Sequence, residues 1–126
     1  MFDIEARGSF KIEGEQIDGA FRLGDTDYIL EAKWHEKQTP RSDLVYFESK
    51  VGTKLENTLG LFISMNGFES SAISNRGGRR PDLILMDGAD IAAVLEGRIG
   101  LPKLIDGKKQ HAAQTGKIMI SAFQLI

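Results

Sequence analysis

Apolar and polar side chains alternate strictly over residues 16–23. Ile17, Gly19, Phe21 and Leu23 fall on one side, and Gln16, Asp18, Ala20 and Arg22 on the other. A period of two is the signature of a strand with one buried face. The run Gly24-Asp25-Thr26-Asp27 that follows is a turn by composition. Residues 28–34 resume the alternation, with Tyr28, Leu30, Ala32 and Trp34 on the face expected to meet the core and Glu31 and Lys33 on the opposite, polar face. Two strands joined by a short Gly/Asp loop predict an antiparallel hairpin. Phe10-Lys11-Ile12 reads as a further strand ahead of it.

Beyond Thr39-Pro40 the period changes. Leu44, Phe47, Val51 and Leu55 recur at spacings of 3, 4 and 4, which predicts a helix over residues 41–58 and sets Lys50 and Lys54 one turn apart on it. Residues 61–65 are a short apolar run closed by Asn66-Gly67, a buried strand by pattern, and 69–75 read as a short helix. A second buried strand is expected at 83–86, helices at 90–96 and 101–113, and a last strand at 118–120. A hairpin followed by helix–strand alternation predicts an α/β fold, a mixed β-sheet with helices packed on it. The 126 residues hold no internal repeat and no linker-like stretch, so residues 1–126 are read as a single domain.

Composition narrows the class. Hydrophobic residues make up 41% and charged residues 27%, the balance of a globular chain. With no cysteine, disulfide frameworks, Cys-ligated zinc and thiol nucleophiles are excluded. No apolar run approaches the ~20 residues of a membrane span, and Met1 leads into an acidic segment. A cytoplasmic protein with no membrane association is the expectation. The net charge of −2 conceals an asymmetry: residues 1–32 carry eight acids against three bases, and residues 33–126 carry ten against thirteen. Such a chain is not a polycation that coats nucleic acid, but an acidic cluster beside a basic remainder is compatible with a metal-dependent phosphodiester site.

The hairpin holds the residues with chemistry. Glu31 and Lys33 leave one strand on one face, and Asp18 shares that face on the partner strand. Two carboxylates with room for water and a phosphate suit Mg²⁺, a hard cation that prefers oxygen ligands. The metal would polarise a phosphoryl oxygen and activate water, and Lys33 would orient that water or stabilise charge at phosphorus. The competing interpretation is a cross-strand ion pair on a solvated sheet face, worth about 0.2–1 kcal/mol.

The run Gly14-Glu15-Gln16-Ile17-Asp18-Gly19, followed by Glu31-Ala32-Lys33-Trp34, resembles the hairpin of the PD-(D/E)XK nucleases, and within them the restriction-endonuclease-like domains of the Mrr kind. The segment 60–68 resembles the strand after the long helix of such domains. The resemblance implies a restriction-endonuclease-like three-layer core with an N-terminal antiparallel hairpin and flanking helices. It further implies a Mg²⁺-dependent endonuclease, with Mn²⁺ able to substitute, acting on nucleic acid and most directly on DNA in restriction or defence. Asp18 and Glu31 would be metal ligands, the backbone carbonyl of Ala32 would complete the shell, and Lys33 would be the catalytic lysine.

Two departures stand out. Ile17 occupies the place of the family's proline, and only fifteen residues precede Gln16, too few for the usual first helix with its extra glutamate plus a strand. That helix is therefore expected to be missing, with Glu5, Glu13 or Glu15 as weak substitutes for its acid. Lys50 and the loop arginines Arg76, Arg79 and Arg80 are candidate nucleic-acid contacts, since guanidinium forks suit phosphate. Pro81-Asp82 with Asp106-Gly107-Lys108 matches the written signature but lacks the flanking alternation of a strand pair. Other readings stay open: a catalytically silent interaction or dimerisation module, and an RNA- or junction-directed nuclease. A homodimer is expected of so small a catalytic core.

Overall fold

The computed structural model describes residues 10–55, 57–74 and 82–125. Strands β1 (Phe10–Glu13), β2 (Gln16–Leu23) and β3 (Thr26–Lys33) form an antiparallel meander. Gly14 and Gly24 open its two turns at φ 56° and 61°, the left-handed geometry that favours glycine at the first position of a two-residue hairpin loop. Helix α1 (Arg41–Gly52) then crosses over to β4 (Thr58–Ser64), which pairs parallel to β3; a short helix α2 (Ser70–Ile73) precedes β5 (Leu83–Asp87), parallel to β4. The sheet order is β1-β2-β3-β4-β5. Helices α3 (Gly88–Leu95) and α4 (Leu101–Thr115) follow, and a 3₁₀ turn at Ala122–Gln124 comes last.

Both faces of this mixed sheet are covered. Phe21, Tyr28, Leu61, Ile84 and Met86 pack on one side against Ala93 of α3 and Leu104 and Ile105 of α4. On the other side Phe62, Leu83 and Leu85 meet Leu44, Phe47 and Val51 of α1. The mixed sheet with packed helices expected from the alternating elements is thus present, and it has the three layers that the resemblance implies. Gly60 lets α1 seat closely: a Cβ there would stand 2.7 Å from the Leu83 and Phe47 side chains and 2.8 Å from Val51. Among the described residues no helix is long and apolar enough to cross a membrane.

Four local expectations are corrected. The polar face of β3 is not open to solvent, because α1 lies over it and leaves Glu31 only 3% exposed. Helix α1 stops at Gly52, a poor helix former, so Leu55 is 85% exposed and Lys54 lies beyond the helix. Trp34 is exposed, not core, because β3 has ended and its N–H turns back to the Glu15 carbonyl at 3.1 Å. Residues 118–120 do not form a strand. One backbone bond does reach the sheet, Leu85 N–H of β5 donating to the Ile118 carbonyl at 3.4 Å. The segment is then drawn away: Lys108 Nζ donates to the Ile120 carbonyl, and the neighbouring Ala122 N–H donates to Asp90 Oδ1 at 2.7 Å.

Candidate active site

The pairing of β2 with β3 sets Asp18 opposite Glu31 and Gln16 opposite Lys33. Period-two alternation turns Glu31 and Lys33 to the side covered by α1. Lys33 Nζ donates to Asp43 Oδ2 at 3.1 Å and stands 3.6 Å from Glu31 Oε2. Lys50, from the last turn of α1, donates to Glu31 Oε1 at 3.3 Å and lies 4.8 Å from the centroid of the Tyr46 ring. Across the strands, Gln16 Nε2 donates to Asp18 Oδ1 at 2.8 Å. The result is a compact group of three carboxylates and two ammonium groups where β3 meets α1.

Burial sets the electrostatics of the group. Loss of hydration pushes the Glu31 carboxyl above its ordinary range; Lys50 and Lys33 pull it back and Asp18 adds to the rise. Beside it opens a cleft of about 460 Å³, whose walls include Asp18, Glu31, Ser49, Lys50, Thr53 and Lys54. One wall is thus carboxylate and the other carries the ammonium groups of Lys50 and Lys54, an arrangement that can hold a cation against an anion.

The restriction endonuclease family model Mrr_cat matches residues 5–95, a span that contains the whole of this group. The chain belongs to that family. Among solved structures, this restriction endonuclease domain is similar to "DNA modification-dependent restriction endonuclease AspBHI", at 14% identity and a TM-score of 0.53, over 86% of this chain and 31% of that one. It is also similar to "MspJI Restriction Endonuclease in Complex with 27-mer Oligonucleotide", at 13% identity and a TM-score of 0.49, over 80% of this chain and 24% of that one. The AspBHI likeness shows a shared fold, and the chain spans less than a third of either neighbour's length. No curated protein sequence matches it.

Within this restriction endonuclease domain, Asp18, Glu31 and Lys33 come together as the hairpin register requires. Ala32 lies between the last two, paired in register with Ile17 and Ile63. Lys50 reaches the group, and Lys54 lines the cleft from beyond the helix. Arg76, Arg79 and Arg80 lie outside the described residues, as does Glu5. Glu13 and Glu15 are exposed, and Glu13 pairs with Lys11 at 2.7 Å. Of the competing signature, Lys108 is fully buried against Asp90 at 2.9 Å and Asp106 is exposed on α4, so the two do not form a strand site.

Asp43 is the member that sequence reasoning missed. Its signal was an acid in the first turn of a helix entered directly from the loop after β3, which returns that turn to the strand end. Among the described residues no three His, Asp or Glu side chains form a metal cage. The carboxylates of Asp18 and Glu31 both line the cleft and are the hard oxygen donors it offers a cation. A small set of hard oxygen donors fits Mg²⁺, which keeps several of its waters and seldom takes an all-protein cage.

Proposed function

We propose that this domain hydrolyses phosphodiester bonds in DNA, with Asp18, Glu31 and the Ala32 carbonyl holding Mg²⁺ (or Mn²⁺ in its place) and Lys33 as the catalytic lysine. The observation that carries this reading is the facing pair Asp18 and Glu31 with Lys33 two residues on, inside the segment matched by the restriction endonuclease family. DNA as the substrate draws on that family and on the AspBHI name, which describes a DNA modification-dependent enzyme.

Bound at this site, the cation supplies Lewis-acid polarisation of a phosphoryl oxygen and a more acidic water. The chain's own residues do the rest. Glu31, nearly dry, offers a carboxylate little screened by solvent. Lys33 is steadied by Asp43 at 3.1 Å, so its ammonium is fixed in direction while it donates to the attacking water or to the oxygen gaining charge. Lys50 and Lys54 supply ammonium donors along the cleft for backbone phosphates. Water is the nucleophile, and no side chain forms a covalent intermediate.

The test is cleavage of supercoiled plasmid, labelled single-stranded DNA and labelled RNA with Mg²⁺ or Mn²⁺, beside EDTA and the Glu31→Ala protein. Metal-dependent nicking of DNA that Glu31→Ala abolishes is the expected result. Cleavage that survives Glu31→Ala overturns the site, and RNA cut in preference to DNA overturns the substrate.

A second reading, homodimerisation, rests on the outer edge of the sheet. There, among the described residues, β1 is the outer strand and presents Phe10 and Ile12 to solvent, and outer strands with exposed apolar side chains invite pairing. Light scattering that returns a concentration-independent monomer mass removes it.

A further inference from the structure

Glu31 is attended by two lysines whose circumstances differ. Lys33 is 17% exposed, rises from the same strand and is tied down by Asp43 at 3.1 Å. Lys50 is 38% exposed and reaches in from α1; besides Glu31, its neighbours are the open cleft and the exposed Tyr46 ring. A carboxylate this deeply buried cannot stand without a counter-charge, since burying a lone ion costs several kcal/mol. A divalent cation on Glu31 would nevertheless be strongly repelled by an ammonium 3.3 Å from the same carboxylate oxygen. Both demands are met only if one lysine can leave, and the flexible, part-exposed one has somewhere to go.

We propose that Lys50 is an exchangeable counter-ion, seated on Glu31 until a divalent cation takes its place and then turned outward into the cleft to meet a DNA backbone phosphate. The inference rests on the reading of Asp18 and Glu31 as metal ligands and adds a regulatory link to it. The cleft wall offers the displaced ammonium the hydroxyl oxygens of Ser49 and Thr53 as acceptors, and the Tyr46 ring face remains within reach of its four-carbon stem. Cation loading therefore removes a positive charge from the carboxylates and delivers it to the surface that receives the anion. By linkage, each ligand then strengthens binding of the other.

The experiment is calorimetric titration of Mn²⁺, without nucleic acid, into wild type, Lys50→Met, Lys50→Arg and Glu31→Gln. Lys50→Met is expected to bind about tenfold more tightly than wild type, the scale of one charge-assisted partner removed. Lys50→Arg is expected to stay near wild type, and Glu31→Gln to lose binding. A parallel anisotropy titration with a short DNA duplex and Ca²⁺ is expected to show cation-enhanced DNA binding in wild type that Lys50→Met lacks. Lys50→Met affinity for Mn²⁺ equal to or below wild type, with binding still dependent on Glu31, overturns the exchange and leaves the metal site standing. Absence of Mn²⁺ binding in wild type and Lys50→Met alike overturns the metal site and the exchange with it.

Discussion

Lys33 and Asp43 meet at 3.1 Å, the first closing β3 and the second in the opening turn of α1. The carboxylate of Asp43 sits at the helix N-terminus, where its charge complements the helix dipole, and from there it orients Lys33 through their hydrogen bond. Asp43→Asn keeps the shape and removes the charge. Single-turnover cleavage is expected to fall about 10–100-fold, as for other partners that orient site groups. Mn²⁺ affinity should change much less, and a loss confined to metal affinity would remove Asp43 from its role on Lys33.

The Asp90–Lys108 pair on the opposite face is structural. Both side chains are fully buried at 2.9 Å, and Asp90 also accepts from the N–H groups of Asp87 and Ala122. Lys108→Met leaves a buried carboxylate without its cation, a change that costs about 3–5 kcal/mol. Urea denaturation measures the loss, and amide exchange at Ala122 should quicken with it.

Tyr28 sets an alkaline limit. Burial pushes its hydroxyl up to about 12, with Asp106 adding to the rise. The native state therefore keeps this proton after the unfolded chain has begun to release it, near 10.0. Its contribution is whole below that value and is lost as pH climbs through about 12. Tyr28→Phe should unfold with a shallower pH dependence between those limits, by on the order of 2 kcal/mol. Thermal melts across the alkaline range read the difference.

Gly60→Ala probes the seating of α1. Its added methyl meets Phe47 and Val51 below 3 Å, so the helix must retreat or the side chains must leave their rotamers. The expected cost is about 1–3 kcal/mol. Because α1 carries both Asp43 and Lys50, cleavage should fall by more than the stability loss alone explains. Activity compared at equal folded fraction makes the measurement.

The hairpin was legible because its signals are local. Period-two alternation and a Gly/Asp turn predicted the pairing of the strands and put Asp18, Glu31 and Lys33 on one face. The four-residue turn expected at 24–27 is in the structure only Gly24-Asp25, and it is this shorter loop that sets Asp18 opposite Glu31. What escaped depends on a neighbour distant in sequence. Glu31 reads as solvated from β3 alone, and only the docking of α1, through Leu44, Phe47 and Val51, buries it. Asp43 escaped for the same reason, since its partner is chosen by where the helix lands. The strand expected at 118–120 failed differently: its apolar pattern is genuine, and Ile118 is buried, but side chains from α3 and α4 hold the adjoining backbone.

One strand carries both the packing and the chemistry. Along β3, Tyr28 and Leu30 turn toward α3 and α4, while Ile29 and Glu31 turn toward α1. Inserting or deleting one residue in that strand would thrust a carboxylate among the apolar side chains of the α3 and α4 layer, and would empty the group beneath α1 in the same stroke. Substitutions can test the two roles separately, but changes of length cannot. Length changes in this hairpin are therefore expected to be tolerated at the Gly24-Asp25 turn or beyond its outer ends, whereas one within β3 disrupts fold and chemistry together.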